Sequence, residues 1–203
     1  MKTLFSGALV ACFGILCLSC SQSERRTEET AFTKQDSVVD FYLAYQDSIL
    51  QAWNVMINDD NKKINAMRSL LHELSVSNPE QREDLSHFQE RLDNLVQLRY
   101  DQRSIANKDA VEEYDFASSS LVAELLSTAE TQPEFAYNAT LQTLAEEIRL
   151  ADERVGNYRA DYDAIVAGYN TFLEQNKMFL SDIAPDSTLE KKPLFQMVSE
   201  ELP

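Results

Sequence analysis

The sequence predicts an all-α protein, an antiparallel up-and-down bundle of three to four long helices. Three observations predict it. Glycine and proline are scarce, 4 and 5 among 203 residues, and Gly7 and Gly14 fall in an N-terminal apolar run, leaving Gly156 and Gly168 for everything after it. So little of either residue builds few turns, so the elements must be few and long. Apolar residues make up 44% of the chain, enough for a packed core. They recur at helical spacing over tens of positions.

The chain opens with Met1-Lys2, then an apolar run from Leu4 to Ser19. Sixteen residues rise about 24 Å as a helix, short of the ~30 Å hydrocarbon core, so residues 1–19 read as a signal peptide rather than a span. The run closes on Leu16-Cys17-Leu18-Ser19-Cys20-Ser21. This resembles the lipobox of bacterial lipoproteins, with Cys20 as the lipidated residue and new N-terminus; Cys17 stands where Leu is usual. The alternatives are an uncleaved anchor and a plain secretory leader. Cys12, Cys17 and Cys20 are the only cysteines, so the mature chain has no possible internal disulfide. Residues 20–36 are predicted to be a lipid anchor followed by a flexible polar tether.

Residues 37–183 form the predicted bundle. The first long helix spans about Ser37 to Leu74, with the stripe Val39, Tyr42, Ile49, Trp53, Met56, Ile64, Met67, Leu71 and Leu74. Gln46 and Asp60 interrupt it, and the step slips near Asp60 as at a stutter. Asn78, Pro79 and Gln81 then supply capping chemistry for a new helix. From Pro79 to about Thr128 one stripe, Leu85, Phe88, Leu92 and Leu95, is out of phase with a second, Val111, Tyr114, Leu121 and Leu125. Asn107-Lys108-Asp109 offers a stop and a fresh cap between them. One bent helix and two separate helices both fit this pattern.

Thr131-Gln132-Pro133-Glu134 is predicted to start the last helix. Alternate steps of 4 and 3 then give Tyr137, Leu141, Leu144, Ile148, Ala151, Val155, Tyr158, Tyr162, Ile165, Tyr169, Phe172, Asn176, Phe179 and Ile183. All but Asn176 are apolar or aromatic, so a seam about 70 Å long is expected to face partner helices. Residues 184–203, with prolines at 185, 193 and 203, are expected to lie extended over the bundle or loose.

Lys plus Arg number 18 against 34 Asp plus Glu, a formal charge of −16; removing residues 1–19 takes away Lys2 and no acid, moving it to −17. Such a surface repels phosphate backbones and excludes nucleic acid as a partner. It also avoids anionic headgroups, so membrane attachment falls to lipid on Cys20.

The stretch from Glu130 onward resembles the LemA family of bacterial membrane-associated helical proteins. Glu130 and Pro133 fit its Glu-x-x-Pro turn; Phe135, Leu141, Leu144, Ile148 and Val155 follow in register; Arg159, Tyr162, Val166, Tyr169 and Asn170 complete the pattern. Ala52-Trp53, Lys62-Lys63 and Leu70-Leu71 resemble the family's first helix, and Lys191-Lys192 with Phe195 its basic and aromatic close. Asp163, Gln175-Asn176, Ile57 and Asp60 depart from the pattern. The resemblance, over about residues 40–196, implies an antiparallel bundle on an N-terminal membrane anchor and no established activity.

Tyr158, Arg159, Tyr162, Tyr169 and Asn170 form the candidate partner or ligand surface. The three tyrosines lie on the seam, so their rings are expected in the core, with Arg159 and Asn170 as partners for their hydroxyls. His72 and His87 flank the first inter-helix turn, with Glu73, Glu83 and Asp84 nearby. Neither has a Glu three residues before it, as a di-iron bundle requires, so no metal site is predicted. The acidic pairs, such as Glu112-Glu113 and Glu146-Glu147, fall off the stripes and read as solvated faces. Two isolated glycines make no phosphate loop, and the histidines support no nucleophile. No catalytic residue and no cofactor is therefore expected. The sequence reads as a non-catalytic, lipid-anchored scaffold for another envelope protein. It is expected at the outer membrane facing the periplasm, because Ser21 rather than Asp follows Cys20. The alternative is a binding protein for a small apolar ligand or lipid between the helices.

Overall fold

A computed structural model describes residues 34–183 and 189–195. The signal peptide, Cys20 and most of the tether lie outside the described residues. Four helices account for the rest: α1 (Lys34–Ser77), α2 (Arg82–Leu98), α3 (Lys108–Glu130) and α4 (Ala139–Ile183). Short 3-10 turns at Pro79–Gln81, Ser104–Ala106 and Pro133–Ala136 stand between them. The bundle is all-α and antiparallel.

Residues 79–128 resolve into two helices. The break is built by Asp101, whose carboxylate accepts the amides of Arg103 at 2.9 Å and Ser104 at 2.7 Å, while the Ser104 hydroxyl accepts the Asp101 amide at 2.7 Å. This reciprocal box stops the chain in a 3-10 turn. Asn107 then caps α3 as expected, its side chain accepting the Asp109 amide at 3.2 Å. Asn78 has a longer reach than a cap requires: its side-chain amide donates to Gln132 at 3.1 Å and Glu134 at 2.5 Å. The α1–α2 turn is thereby tied to the α3–α4 turn.

The last helix starts later than its turn chemistry suggests. Pro133–Ala136 closes on itself as a 3-10 turn, and Asn138 becomes the cap, its side-chain oxygen accepting the amides of Thr140 at 3.0 Å and Leu141 at 3.2 Å. Tyr137, the expected first residue of the seam, therefore sits before the helix and is 78% exposed. The seam itself drifts. Leu141, Ile148, Tyr162 and Tyr169 are buried as expected, but Val166, Leu173 and Leu180 are buried in place of Ile165, Phe172 and Phe179. A straight helix of 3.6 residues per turn rotates away from a 3.5-residue repeat.

Helices α1 and α4 pair antiparallel along their length, from Tyr45 against Phe172, through Trp53 against Tyr162, to Asp59 with Arg154 and Lys63 with Asp152. Tyr45 lies across Gly168, where an added Cβ would meet its hydroxyl at 3.2 Å. Helices α2 and α3, with 17 and 23 residues against 44 and 45, cover only one half of that pair. Their contacts fall on the C-terminal half of α1 (Arg68–Asp93, Arg99–Asn61) and the N-terminal half of α4 (Glu130–Arg149). That half is a four-helix body, filled by Met67, Leu70, Leu92, Leu95, Leu121, Leu125 and Ile148, each contributing about 1.5–3 kcal/mol by burial. The other half is a two-helix arm. Phe41, Leu43, Leu50 and Met178 are exposed along it, Met178 to 84%.

Because Asn138 satisfies two of the amides that open α4, Asn138→Ala is expected to lower stability by about 1 kcal/mol. A melting temperature lower by roughly 2–4 °C in thermal unfolding followed by circular dichroism checks it. An unchanged value would return the helix start to the proline turn.

Candidate functional site

Where the apolar stripe of α1 is interrupted, a polar face turns inward, and the inward-facing spacing Met56, Asp60, Lys63, Met67, Leu70 and Leu74 runs on without the expected slip. Asp59, Asp60 and Lys63 lie within one helical turn, and Lys63 is only 2% exposed. Its ammonium donates to Ser118 on α3 at 2.8 Å and pairs with Asp152 on α4 at 3.1 Å, with Asp60 at 3.8 Å. Asp60 also accepts the Tyr114 hydroxyl at 2.7 Å and the Arg99 guanidinium at 2.7 Å. Asp59 takes two nitrogens of Arg154, at 2.8 and 3.2 Å. Around a cavity of about 220 Å³, Asp59, Asp60, Asp115 and Asp152 thus meet Lys63, Arg99 and Arg159, and Arg154 reaches Asp59 without lining the cavity. The opposite charges balance one another, as buried ions require. The interruption of the stripe at Asp60 is therefore a polar core position, and nothing local to α1 marks Asp60 or Lys63 as a partner of α3.

Arg159 holds the near end of this cluster. Its two terminal nitrogens grip the Asp115 carboxylate at 2.6 and 2.5 Å, and one also donates to the Tyr100 hydroxyl at 2.7 Å. Burial opposes its charge most strongly of any single influence, but Asp115 and Tyr100 together outweigh it and hold the guanidinium above its ordinary value. Burial, and then the Asp60 carboxylate, drives the Tyr114 hydroxyl far above the usual phenol range. Tyr162 is pushed up to about 12 by burial and the neighbouring Asp163.

The remaining members of the expected surface receive the chain's own tail. Residues 189–195 run extended beside α4. Asn170 pairs with both backbone groups of Lys192, donating to its carbonyl at 2.9 Å and accepting its amide at 2.9 Å. Asp163 accepts the Phe195 amide at 2.8 Å, and the Tyr169 hydroxyl donates to the Glu190 carbonyl at 3.3 Å. Lys191 pairs with Glu174. Phe195 enters an aromatic box: its ring stacks on Trp53 at 6.3 Å and meets Tyr100 and Tyr162 edge-on at 5.6 and 5.5 Å, with the Arg159 guanidinium 4.9 Å from its centre. Such aromatic and cation–π contacts add to the burial itself.

Of the five residues picked from sequence, Tyr162 and Tyr169 are core, Arg159 is ion-paired, Asn170 reads the tail's backbone, and Tyr158 is half-buried beside Arg154 and the charged cavity. The structure adds Trp53, Tyr100, Asp115 and Phe195. Trp53 and Phe195 carry a signal in the sequence, in the pattern Ala52-Trp53 and in the aromatic close; Asp115 carries none. His72 and His87 are both exposed. Among the described residues, no three His, Cys, Asp or Glu side chains are grouped to hold a metal ion.

A family model supplies the decisive comparison: it is that of the LemA family, and it matches residues 81–202. The chain belongs to the LemA family. The matched span takes in α2, α3, α4 and the tail strap that closes the aromatic box, and begins after α1. No curated protein and no solved structure matches the chain. In this LemA protein the strap is thus part of the matched module together with the helix that holds it.

Lys63→Met keeps the stem and removes the charge, leaving Asp152 without its cation. The expected cost is about 2–3 kcal/mol in urea unfolding, less than for a fully buried pair because Asp152 is partly in solvent and Arg99 still holds Asp60. Adding Asp152→Asn should recover part of the loss. Full wild-type stability in Lys63→Met would show the cluster to be solvated.

Proposed function

We propose that this LemA protein is a membrane-tethered, non-catalytic scaffold, a lipoprotein held in the cell envelope through lipid on Cys20 and engaging another envelope protein through its two-helix arm. The observation that carries this reading is that the arm, which α2 and α3 leave uncovered, keeps Phe41, Leu43, Leu50 and Met178 exposed. Large apolar side chains left in solvent where a bundle is uncovered favour a partner there. The acidic flanks favour a partner with basic patches.

The non-catalytic part rests on the lack of any catalytic constellation in the sequence, and the resolved shifts run the same way. Acid–base catalysis needs a group poised near the working pH. Among the described residues every resolved shift moves its group away from neutrality: Tyr100, Tyr114, Tyr162 and Tyr169 upward, Arg154 and Arg159 upward, Asp101 and Glu124 downward. No helix among the described residues is long and apolar enough to cross a membrane; the tether in this reading is the lipid on Cys20. With Ser21 following, the anchored protein faces the periplasm from the outer membrane. An apolar ligand among the tyrosines is the weaker reading, because Phe195 already fills the aromatic box.

Photo-crosslinking residues placed at Leu50 and Met178 are expected to capture one and the same envelope protein in intact cells, while a crosslinker at Ala123, exposed on α3 of the body, captures none. Cys20→Ser should move the protein from the membrane to the soluble fraction and abolish the capture. Equal labelling at all three positions would count against the arm as an interface, and unchanged membrane attachment of Cys20→Ser against the anchor.

A further inference from the structure

A second cavity, of about 560 Å³, lies between α1, the loop before α3, α4 and the strap. Its walls are mostly polar. Two of the residues that line it, Tyr162 and Gln102, carry buried polar atoms with no hydrogen-bond partner: the Tyr162 hydroxyl and the Gln102 side-chain nitrogen. Tyr162 is fully buried. Buried polar atoms of this kind are rare, and each destabilises the fold. The only other two among the described residues, the Nε atoms of Arg99 and Arg159, belong to guanidiniums already paired with Asp60 and Asp115. A phenylalanine at position 162 would offer Phe195 and Trp53 the same ring without the orphaned hydroxyl.

Charge points the same way. Arg103, Lys191 and Lys192 line this cavity against the single acid Glu190, in a chain whose net charge is −16. Lys191 is engaged with Glu174, and the Lys192 ammonium sits 5.9 Å from the centre of the Tyr169 ring. A hollow that gathers cations on a strongly acidic molecule draws anions inward.

We infer that this cavity binds a small organic anion, a carboxylate or a phosphate, whose oxygens accept hydrogen bonds from the Gln102 amide and the Tyr162 hydroxyl while Lys192 and Arg103 face its charge. Charge-assisted hydrogen bonds from buried donors are the strong ones. Tyr42 and Gln46 of the arm line this site, but it uses none of the arm's exposed apolar side chains and stands or falls independently of the scaffold reading.

Trp53 is the only tryptophan and its ring lies 5.7 Å from that of Tyr162, so its fluorescence reports on the cavity. The full chain is titrated with succinate and with inorganic phosphate at constant ionic strength, sodium chloride serving as the reference salt. A saturable change in emission with either probe, absent with sodium chloride, is the expected result, and the probe that works tells carboxylate from phosphate. Gln102→Leu and Lys192→Ala are each expected to weaken binding about tenfold. Tyr162→Phe, which deletes only the orphaned hydroxyl, is expected to melt at the same or a higher temperature and yet bind more weakly. No saturable response to either probe, or the same response to sodium chloride, would mean that the cavity holds water alone, and undiminished binding in all three folded variants that the anion binds elsewhere; each would overturn the inference.

Discussion

Two helices of 44 and 45 residues carry a seam that the 17- and 23-residue helices between them are too short to cover. At 1.5 Å per residue the outer pair runs about 66 Å, whereas α2 reaches about 26 Å and α3 about 35 Å. This mismatch in length governs the rest of the structure. Where α2 and α3 reach, a four-helix body excludes water. Where they end, the long pair must either find another cover or show its flanks to solvent, and it does both. The strap covers the region around Tyr162 and Tyr169, while Leu50, Leu43 and Phe41 of α1, at much the same level, stay in the open.

The ion cluster settles how the body is aligned. Apolar side chains packing in a seam tolerate sliding by a helical turn, since one leucine replaces another. An ammonium that must meet Asp152 on α4 and Ser118 on α3 at once does not tolerate it. A buried charge with its partner one turn away is left uncompensated, which is far costlier than a cavity the size of a methyl group. Lys63 therefore acts on register more than on net stability. The interruption of the apolar stripe at Asp60 is the trace of that role in the sequence.

The strap turns the tyrosine-rich half of α4 into an interior. Asn170 and Asp163 hold backbone groups of the tail rather than its side chains, so their grip is indifferent to most of the tail's sequence. Selectivity comes from Phe195, the residue that enters the aromatic box. A surface that sequence alone offers to a partner is in this way shared between the chain's own tail and the polar cavity beside it. The arm is the part of the long pair that α2 and α3 leave uncovered, and its exposed Leu43 and Leu50 lie at the same level as the cavity's Tyr42 and Gln46.

The helices themselves are legible because periodicity is a local property. Scarce glycine, the stripes of α1 to α3 and the cap at Asn107 act within a few residues of one another, and so do the signals of the LemA family in α4. The break before α3 stays ambiguous in the sequence because the Asp101–Ser104 box competes with a simple bend. The start of α4 is displaced because a proline turn and an asparagine cap compete over five residues, and local signals do not rank them. What the sequence by itself determined is which residues form helices and which faces of them seek one another. Only the tertiary structure decided that Lys63 meets Ser118 and Asp152, that Arg159 meets Asp115 rather than its neighbouring tyrosines, and that Phe195 closes over Trp53. The physical reason is that these contacts join residues tens of positions apart, and their strength depends on burial and charge pairing, which exist only once the helices have packed.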